Sequence, residues 1–282
     1  MIKDVKRGMI MPDKRAPIGV FDSGVGGLTV AREIMKQIPN ERIIYFGDTA
    51  RVPYGSKSKT TITRFTKQII RFLMTQNVKA LVIACNTMSA YAIDEVERDI
   101  DLPVIGVVKP GARVAATETK NKRIGVIATE GTIGSGMYER FINRIDPGVE
   151  VLGKACPLFC PLVEEGMLDD PVTDEIARRY LKDLMDKDID TLIMGCTHYP
   201  LLAPALKKLV GDKVRLVNPA YETARELKVM LDKEDMLNDL PFGADERHEF
   251  YVSDLADKFR QFAAKILDDP GLTTEIVDIE KY

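Results

Sequence analysis

Two cysteines of this chain stand in the same local pattern. Cys85 follows the apolar run Ala80-Leu-Val-Ile-Ala84 and precedes Asn86, Thr87 and Ser89, while Cys196 follows Thr191-Leu-Ile-Met-Gly195 and precedes Thr197 and His198. The polar run after Cys85 suits a helix cap, which predicts its thiol at a helix N-terminus. There the dipole and the unpaired amides draw a thiol pKa of about 8.5 toward neutrality and make a thiolate accessible. Cys196 repeats the arrangement, with Pro200 predicted in the first turn of the next helix. A single cysteine at a strand end reads equally as a small hydrophobe. Two in matched polar contexts predict a pair of acid/base thiols. His198, two residues from Cys196, is expected to work beside it as acid, orienter or thiol activator. The other histidine, His248, lies in a charged stretch and is expected to face solvent.

The run Asp22-Ser23-Gly24-Val25-Gly26-Gly27-Leu28-Thr29 is a strand-to-helix glycine turn whose amides suit a carboxylate or a phosphate. It lacks the lysine of a P-loop and the G-x-G-x-x-G register of a dinucleotide site, so it predicts anion binding only. Asp22 reads equally as a helix cap and as a catalytic carboxylate. Pro53-Tyr54-Gly55-Ser56, after Gly47-Asp48-Thr49, is a turn able to hold a polar ligand or simply to reverse the chain. Cys156-Pro-Leu-Phe-Cys160 has three intervening residues and no companion ligands, so two core cysteines and no metal site are expected. Spacing selects neither Glu164 nor Glu165.

The elements that must position these residues follow from periodicity. Ile18 to Phe21, Ile43 to Phe46 and Ala80 to Ala84 read as buried strands. Helical-period segments, Leu28 to Met35 and Thr60 to Met74, separate them. That alternation predicts parallel strands with crossover helices, and in open sheets of this kind ligands gather at the carboxyl ends of the strands. An internal echo supports two such units: Arg123-Ile-Gly-Val126 answers Pro17-Ile-Gly-Val20, and Cys196 answers Cys85 at nearly the same offset. Val104 to Val108 reads as a strand leading into Pro110-Gly111. The C-terminal part reads as a helix over Tyr221 to Asp232, a turn-rich stretch over Asn238 to Asp245, a strand over His248 to Val252 and a helix over Leu255 to Leu267. The predicted fold is α/β, two similar open-sheet domains facing each other across an active-site cleft. The first is expected to comprise residues 16–110 plus the returning tail 217–282, and the second residues 111–216.

At 282 residues the chain has the length of about two domains. Its 45% hydrophobic and 29% charged residues suit a folded protein with a sizeable core. With 40 basic against 43 acidic side chains and no block of like charge, neither a nucleic acid nor a membrane surface is an expected partner. The longest apolar run is too short to span a bilayer, and charges interrupt the N-terminal stretch where a signal peptide needs apolar residues. Four sparse cysteines read as thiols, so a cytoplasmic location is expected.

Taken as an ordered set, these motifs resemble the aspartate/glutamate racemase family, and the glutamate racemases within it. The resemblance runs from about Pro17 into the C-terminal region. It is carried by Val20 to Thr29, Phe46-Gly-Asp-Thr49 with Val52-Pro-Tyr-Gly-Ser56, Ala84-Cys-Asn-Thr87, Cys156-Pro with Pro161-Leu-Val-Glu164, and Gly195-Cys-Thr-His-Tyr-Pro200. It implies cofactor-independent interconversion of L- and D-glutamate, supplying D-glutamate for bacterial peptidoglycan. It also implies Cys85 and Cys196 as the acid/base thiols, with Asp22 assisting Cys85, and Glu164 and His198 near Cys196. Implied substrate contacts are Asp22, Ser23, Tyr54, Gly55, Asn86, Thr87, Thr197 and His198. Met88 departs from the alanine commoner in the family. No metal or other cofactor is expected, and a homodimer is the expected assembly.

The chemistry of the residues agrees, because inverting an α-carbon requires taking a proton from one face and delivering one to the other. Two readings stay open beside it. One is a nonenzymatic anion or nucleotide sensor with structural cysteines. The other is a racemase or decarboxylase for a different carboxylic acid, since two thiols specify proton transfer but not the side chain.

Overall fold

The structure, a computed structural model, describes residues 13–243 and 246–282. Residues 1–12 of the charged N-terminal stretch and the last two residues of the expected turn at 238–245 therefore lie outside the described residues. Among the described residues ten strands are formed: β1 Ile18–Asp22, β2 Ile43–Gly47, β3 Ala80–Ile83, β4 Val104–Gly106, β5 Arg123–Ala128, β6 Glu150–Ala155, β7 Thr191–Gly195, β8 Arg215–Val217, β9 Glu249–Val252 and β10 Glu275–Ile276. They make two sheets, ordered β10-β9-β2-β1-β3-β4 and β6-β5-β7-β8. Every pairing is parallel. β1, β2, β3 and β7 are buried along their whole length, as continuous apolar runs in a doubly covered parallel sheet should be.

The two sheets share one plan. β2-β1-β3-β4 corresponds to β6-β5-β7-β8, so the echoed segments occupy equivalent places: β1 and β5 each sit between two neighbours, and β3 and β7 each carry a cysteine beyond their ends. The order reverses on either side of β1 and of β5, and the crevice at such a point, beyond the strands' carboxyl ends, is where ligands of open α/β sheets bind. The chain after β8 returns to the first sheet. Helix Pro219–Lys233 packs on helix Leu28–Gln37, and β9 adds to the free edge of β2.

Two expectations are corrected by the structure. The expected strand at 104–108 stops at Gly106, because helix Val108–Glu118 begins there and runs through Pro110-Gly111. Pro110 is tolerated because it falls in the first turn, where a backbone N–H has no intrahelical acceptor. His248 is half-buried rather than solvent-exposed: its Nδ1 accepts the Ile43 N–H at 3.2 Å at the start of β2, and its ring meets Phe242 edge-on. Burial pushes its pKa down to about 4, which keeps the imidazole neutral and able to accept. Among the described residues no helix is long and apolar enough to cross a membrane.

Candidate active site

The site is assembled at the carboxyl ends of β1, β2 and β3 from one sheet and β5 and β7 from the other. Cys85, Asn86, Thr87, Ser23, Tyr54 and Gly55 line one side of a cavity of about 340 Å³, and Cys196, Thr197, His198, Glu164, Thr129 and Cys160 line the other. The two cysteines, 111 positions apart (196 − 85), thus face a single substrate-sized space.

Around Cys85 the local structure is that of a helix start. It is the N-cap of helix Asn86–Asp99, and its Sγ donates to Ser23 Oγ at 3.6 Å. Met88, the departure from the family pattern, is fully buried among apolar side chains while its backbone amide points at the thiol. Asn86 is held by Tyr138, whose hydroxyl donates to Asn86 Oδ1 at 2.7 Å, which leaves the amide NH2 free to donate elsewhere. Thr87 Oγ1 lies 2.9 Å from Thr129 Oγ1 and 3.1 Å from Thr132 Oγ1, linking the two halves through hydroxyls.

Asp22 ends β1 and is 1% exposed, yet it does not line the cavity. Its Oδ2 accepts the Gly24 N–H at 3.0 Å, and its Oδ1 has no partner among the described residues. Burial pushes this carboxyl up, against the opposing pull of His198 and of the glycine-turn amides. Tyr54 lines the cavity with its ring while its hydroxyl is bonded to Asp48, which also accepts from Arg51 Nε at 2.7 Å and Ser253 Oγ at 2.8 Å. Gly55 carries a backbone contact across the cleft, its carbonyl accepting the Gly131 N–H at 2.7 Å.

Around Cys196 the local structure is different. Cys196 is followed not by an α-helix but by a 3-10 turn, Tyr199–Leu202, so the helix-end argument made for it does not hold. Its neighbours are side chains instead: His198 Nδ1 at 3.8 Å and Cys160 Sγ at 3.6 Å. His198 Nε2 meets Glu164 Oε1 at 3.0 Å, which distinguishes Glu164 from Glu165, an exposed residue 3.9 Å from Lys258 Nζ. Thr197 is tied across the cleft, its carbonyl accepting from Thr29 Oγ1 at 2.9 Å.

The two thiols are not poised near neutrality. Burial pushes Cys85 up to about 12, with the Asp22 charge adding to it, against the Met88 amide and Ser23 hydroxyl. Cys196 is raised well above its ordinary value by its bond with Cys160 and by burial, with His198 opposing. For Cys85 the expected lowering fails because the thiol is only 6% exposed, and a helix terminus is worth about 0.3–1 kcal/mol, less than desolvating a thiolate costs. Burial also acts against the charged form of His198, but Cys196 and Glu164 outweigh it and lift the imidazole to about 10. Glu164 is correspondingly lowered by its bond to His198.

Cys156 is fully buried, as expected, but Cys160 is not a core residue: it is partly exposed and lines the cavity beside Cys196. Sequence reasoning also missed Thr129, Thr132 and Tyr138. The strand-end rule, carried over to β5 as the counterpart of β1, points to Thr129. Nothing local marks Tyr138, which arrives from helix Met137–Ile145.

Fold and site together define a two-sheet α/β protein that sets two buried thiols around one cavity between its halves. The chain belongs to the Asp/Glu/Hydantoin racemase family, which it matches over residues 18–227. A glutamate racemase from Geobacter metallireducens is 49% identical over 250 residues, 89% of this chain and 92% of that protein. Among solved structures, a glutamate racemase isoform from Bacillus anthracis superposes with a TM-score of 0.90 at 41% identity, covering 94% of this chain and 98% of the other. The Francisella tularensis glutamate racemase in complex with D-glutamate gives 0.88 at 40% identity, covering 95% of this chain and all of that one.

Proposed function

We infer that this chain interconverts L- and D-glutamate without a cofactor, by proton transfer between two thiols. The observation that carries the reading is the opposition of Cys85 and Cys196 across one cavity. One cysteine, as thiolate, takes the α-proton from its face, and the other, as thiol, delivers a proton to the opposite face; the two exchange protonation states with each turnover. The bound substrate's ammonium brings a positive charge into a cavity where burial otherwise holds both thiols neutral, and so favours the thiolate. Negative charge developing on the α-carbon and carboxylate is stabilised by donors fixed beforehand: the Asn86 amide, the hydroxyls of Ser23, Thr87 and Thr197, and backbone amides of the glycine turn.

In this reading Asp22 assists Cys85, His198 and Glu164 serve Cys196, and Tyr54 and Gly55 complete the substrate contacts. The asymmetry is chemical: a carboxylate stands by one thiol and an imidazole by the other, so the two directions of reaction begin from different proton acceptors. The two domains are taken as 16–110 with 217–282, and 111–216. The product D-glutamate supplies peptidoglycan synthesis, and the protein works in the cytoplasm as a homodimer.

The test is a chiral assay of the purified protein on glutamate and on aspartate, with no added cofactor. Conversion of either glutamate enantiomer to a mixture of both, with aspartate a poor substrate, is expected. Turnover of aspartate alone, or dependence on added pyridoxal phosphate, overturns the reading. Light scattering on the same sample reads the dimer.

A further inference from the structure

Cys160 has no part in the proton transfer, yet its thiol sits beside one of the two that do. We propose that Cys160, Cys196 and His198 form a site for a thiophilic divalent cation with a filled d shell, Zn²⁺ or its analogue Cd²⁺, which shuts the enzyme off by claiming the Cys196 thiol. The geometry is close to what such an ion requires. Tetrahedral zinc, with Zn–S near ~2.3 Å and Zn–N near ~2.0–2.1 Å, separates two sulfur ligands by about 3.8 Å and a sulfur from a nitrogen by about 3.5 Å. Here the two sulfurs are 3.6 Å apart and Cys196 Sγ lies 3.8 Å from His198 Nδ1. All three ligand atoms fall within 4.8 Å of one another. A disulfide between the same cysteines needs the sulfurs at ~2 Å and hence a far larger movement.

A second observation concerns the histidine. Glu164 accepts from His198 Nε2 at 3.0 Å, which keeps a proton on that nitrogen and turns Nδ1 toward the Cys196 sulfur, so that an ion arriving there has only the Nδ1 proton to displace. A carboxylate on the outer nitrogen of a ligating histidine is the usual support of a zinc-bound imidazole. Charge balances as well. As the ion binds, the two thiols and the imidazolium Nδ1 each release a proton to solvent, and two thiolates with a neutral imidazole cancel the dication, so the buried ligand set carries no net charge. All three residues line the cavity, which leaves the fourth position to water or to a substrate group.

The site itself stands apart from the racemase reading; only its inhibitory consequence rests on that reading. The closing experiment therefore measures binding without substrate. Chelator-treated full-length protein is titrated with Cd²⁺, following the ultraviolet thiolate-to-cadmium band, and with Zn²⁺ against a coloured indicator. One ion per chain is expected, with Cys160→Val and Glu164→Gln each weakening binding about 10–100-fold. Zinc-edge X-ray absorption of the unaltered protein should show two sulfurs at ~2.3 Å and nitrogen at ~2.0–2.1 Å, which tests the site even if a variant fails to fold. Racemisation, scored for each protein against its own metal-free rate, should be inhibited by Zn²⁺, less so in Cys160→Val, and restored by chelator. Unchanged affinity in Cys160→Val, no thiolate band, or a zinc shell with fewer than two sulfurs overturns the proposal. A metal band in a protein that does not racemise glutamate leaves the site standing and refutes the function instead.

Discussion

Gly26 offers a direct measure of how tightly the halves are held. A Cβ there would lie 2.5 Å from His198 Nδ1 and closer still to Thr197 Oγ1, whereas ordinary contact begins at 3.4 Å. The position is not in the left-handed region, so glycine is required for space and not for backbone freedom. In Gly26→Ala the glycine turn and the Cys196 loop must therefore part by roughly 1 Å, a displacement that costs catalysis about 100-fold. That factor is about 2.7 kcal/mol of transition-state stabilisation. Thr197 cannot retreat freely, because its carbonyl is bonded to Thr29 Oγ1. The assay is the rate of glutamate racemisation by loss of optical activity, with far-ultraviolet circular dichroism as the check on folding. Gly134→Ala, where nothing lies within 4 Å of the added carbon, is the matched control and should keep full activity. A folded Gly26→Ala enzyme with near-native kcat/KM would refute the claim that this approach sets the geometry of the second thiol.

Other expectations follow from the same site and core. Cys85→Ala and Cys196→Ala should each abolish racemisation while the circular dichroism spectrum is retained; a single mutant active in both directions would break the two-thiol assignment. Because both free-enzyme thiols are held above their ordinary range and the thiolate is the reactive form, kcat/KM should climb with pH between about 6 and 9, and a flat profile there would count against burial as the controlling influence. Lys79→Met should cost about 3–5 kcal/mol in urea unfolding, since it leaves Glu41 buried without the ammonium 2.6 Å away, and adding Glu41→Leu should recover much of that loss.

Local pattern alone determined a good deal about this protein. Alternating apolar runs and helical periods are properties of neighbouring residues, so the parallel strands, the repeat relating β1 to β5, and the polar strand ends carrying Cys85 and Cys196 could all be read before folding. Those strand ends carry chemistry because a parallel sheet directs them into one crevice. What a thiol feels, however, depends on what covers it. Local sequence puts Cys85 at a helix start, where a lowered pKa follows, and burial in the cleft reverses the direction. Cys160 looked like half of a core pair because its sequence neighbour is Cys156; its actual partner, Cys196, lies 36 positions away and meets it only when helix Phe159–Glu164 docks beside the end of β7. The charged neighbours of His248 point it to solvent, but β9 joins the edge of β2 and gives the ring a backbone N–H to accept. Residue type and spacing determine which groups are available along the strand ends; contacts between segments distant in sequence decide which groups meet, and desolvation at those contacts sets their protonation.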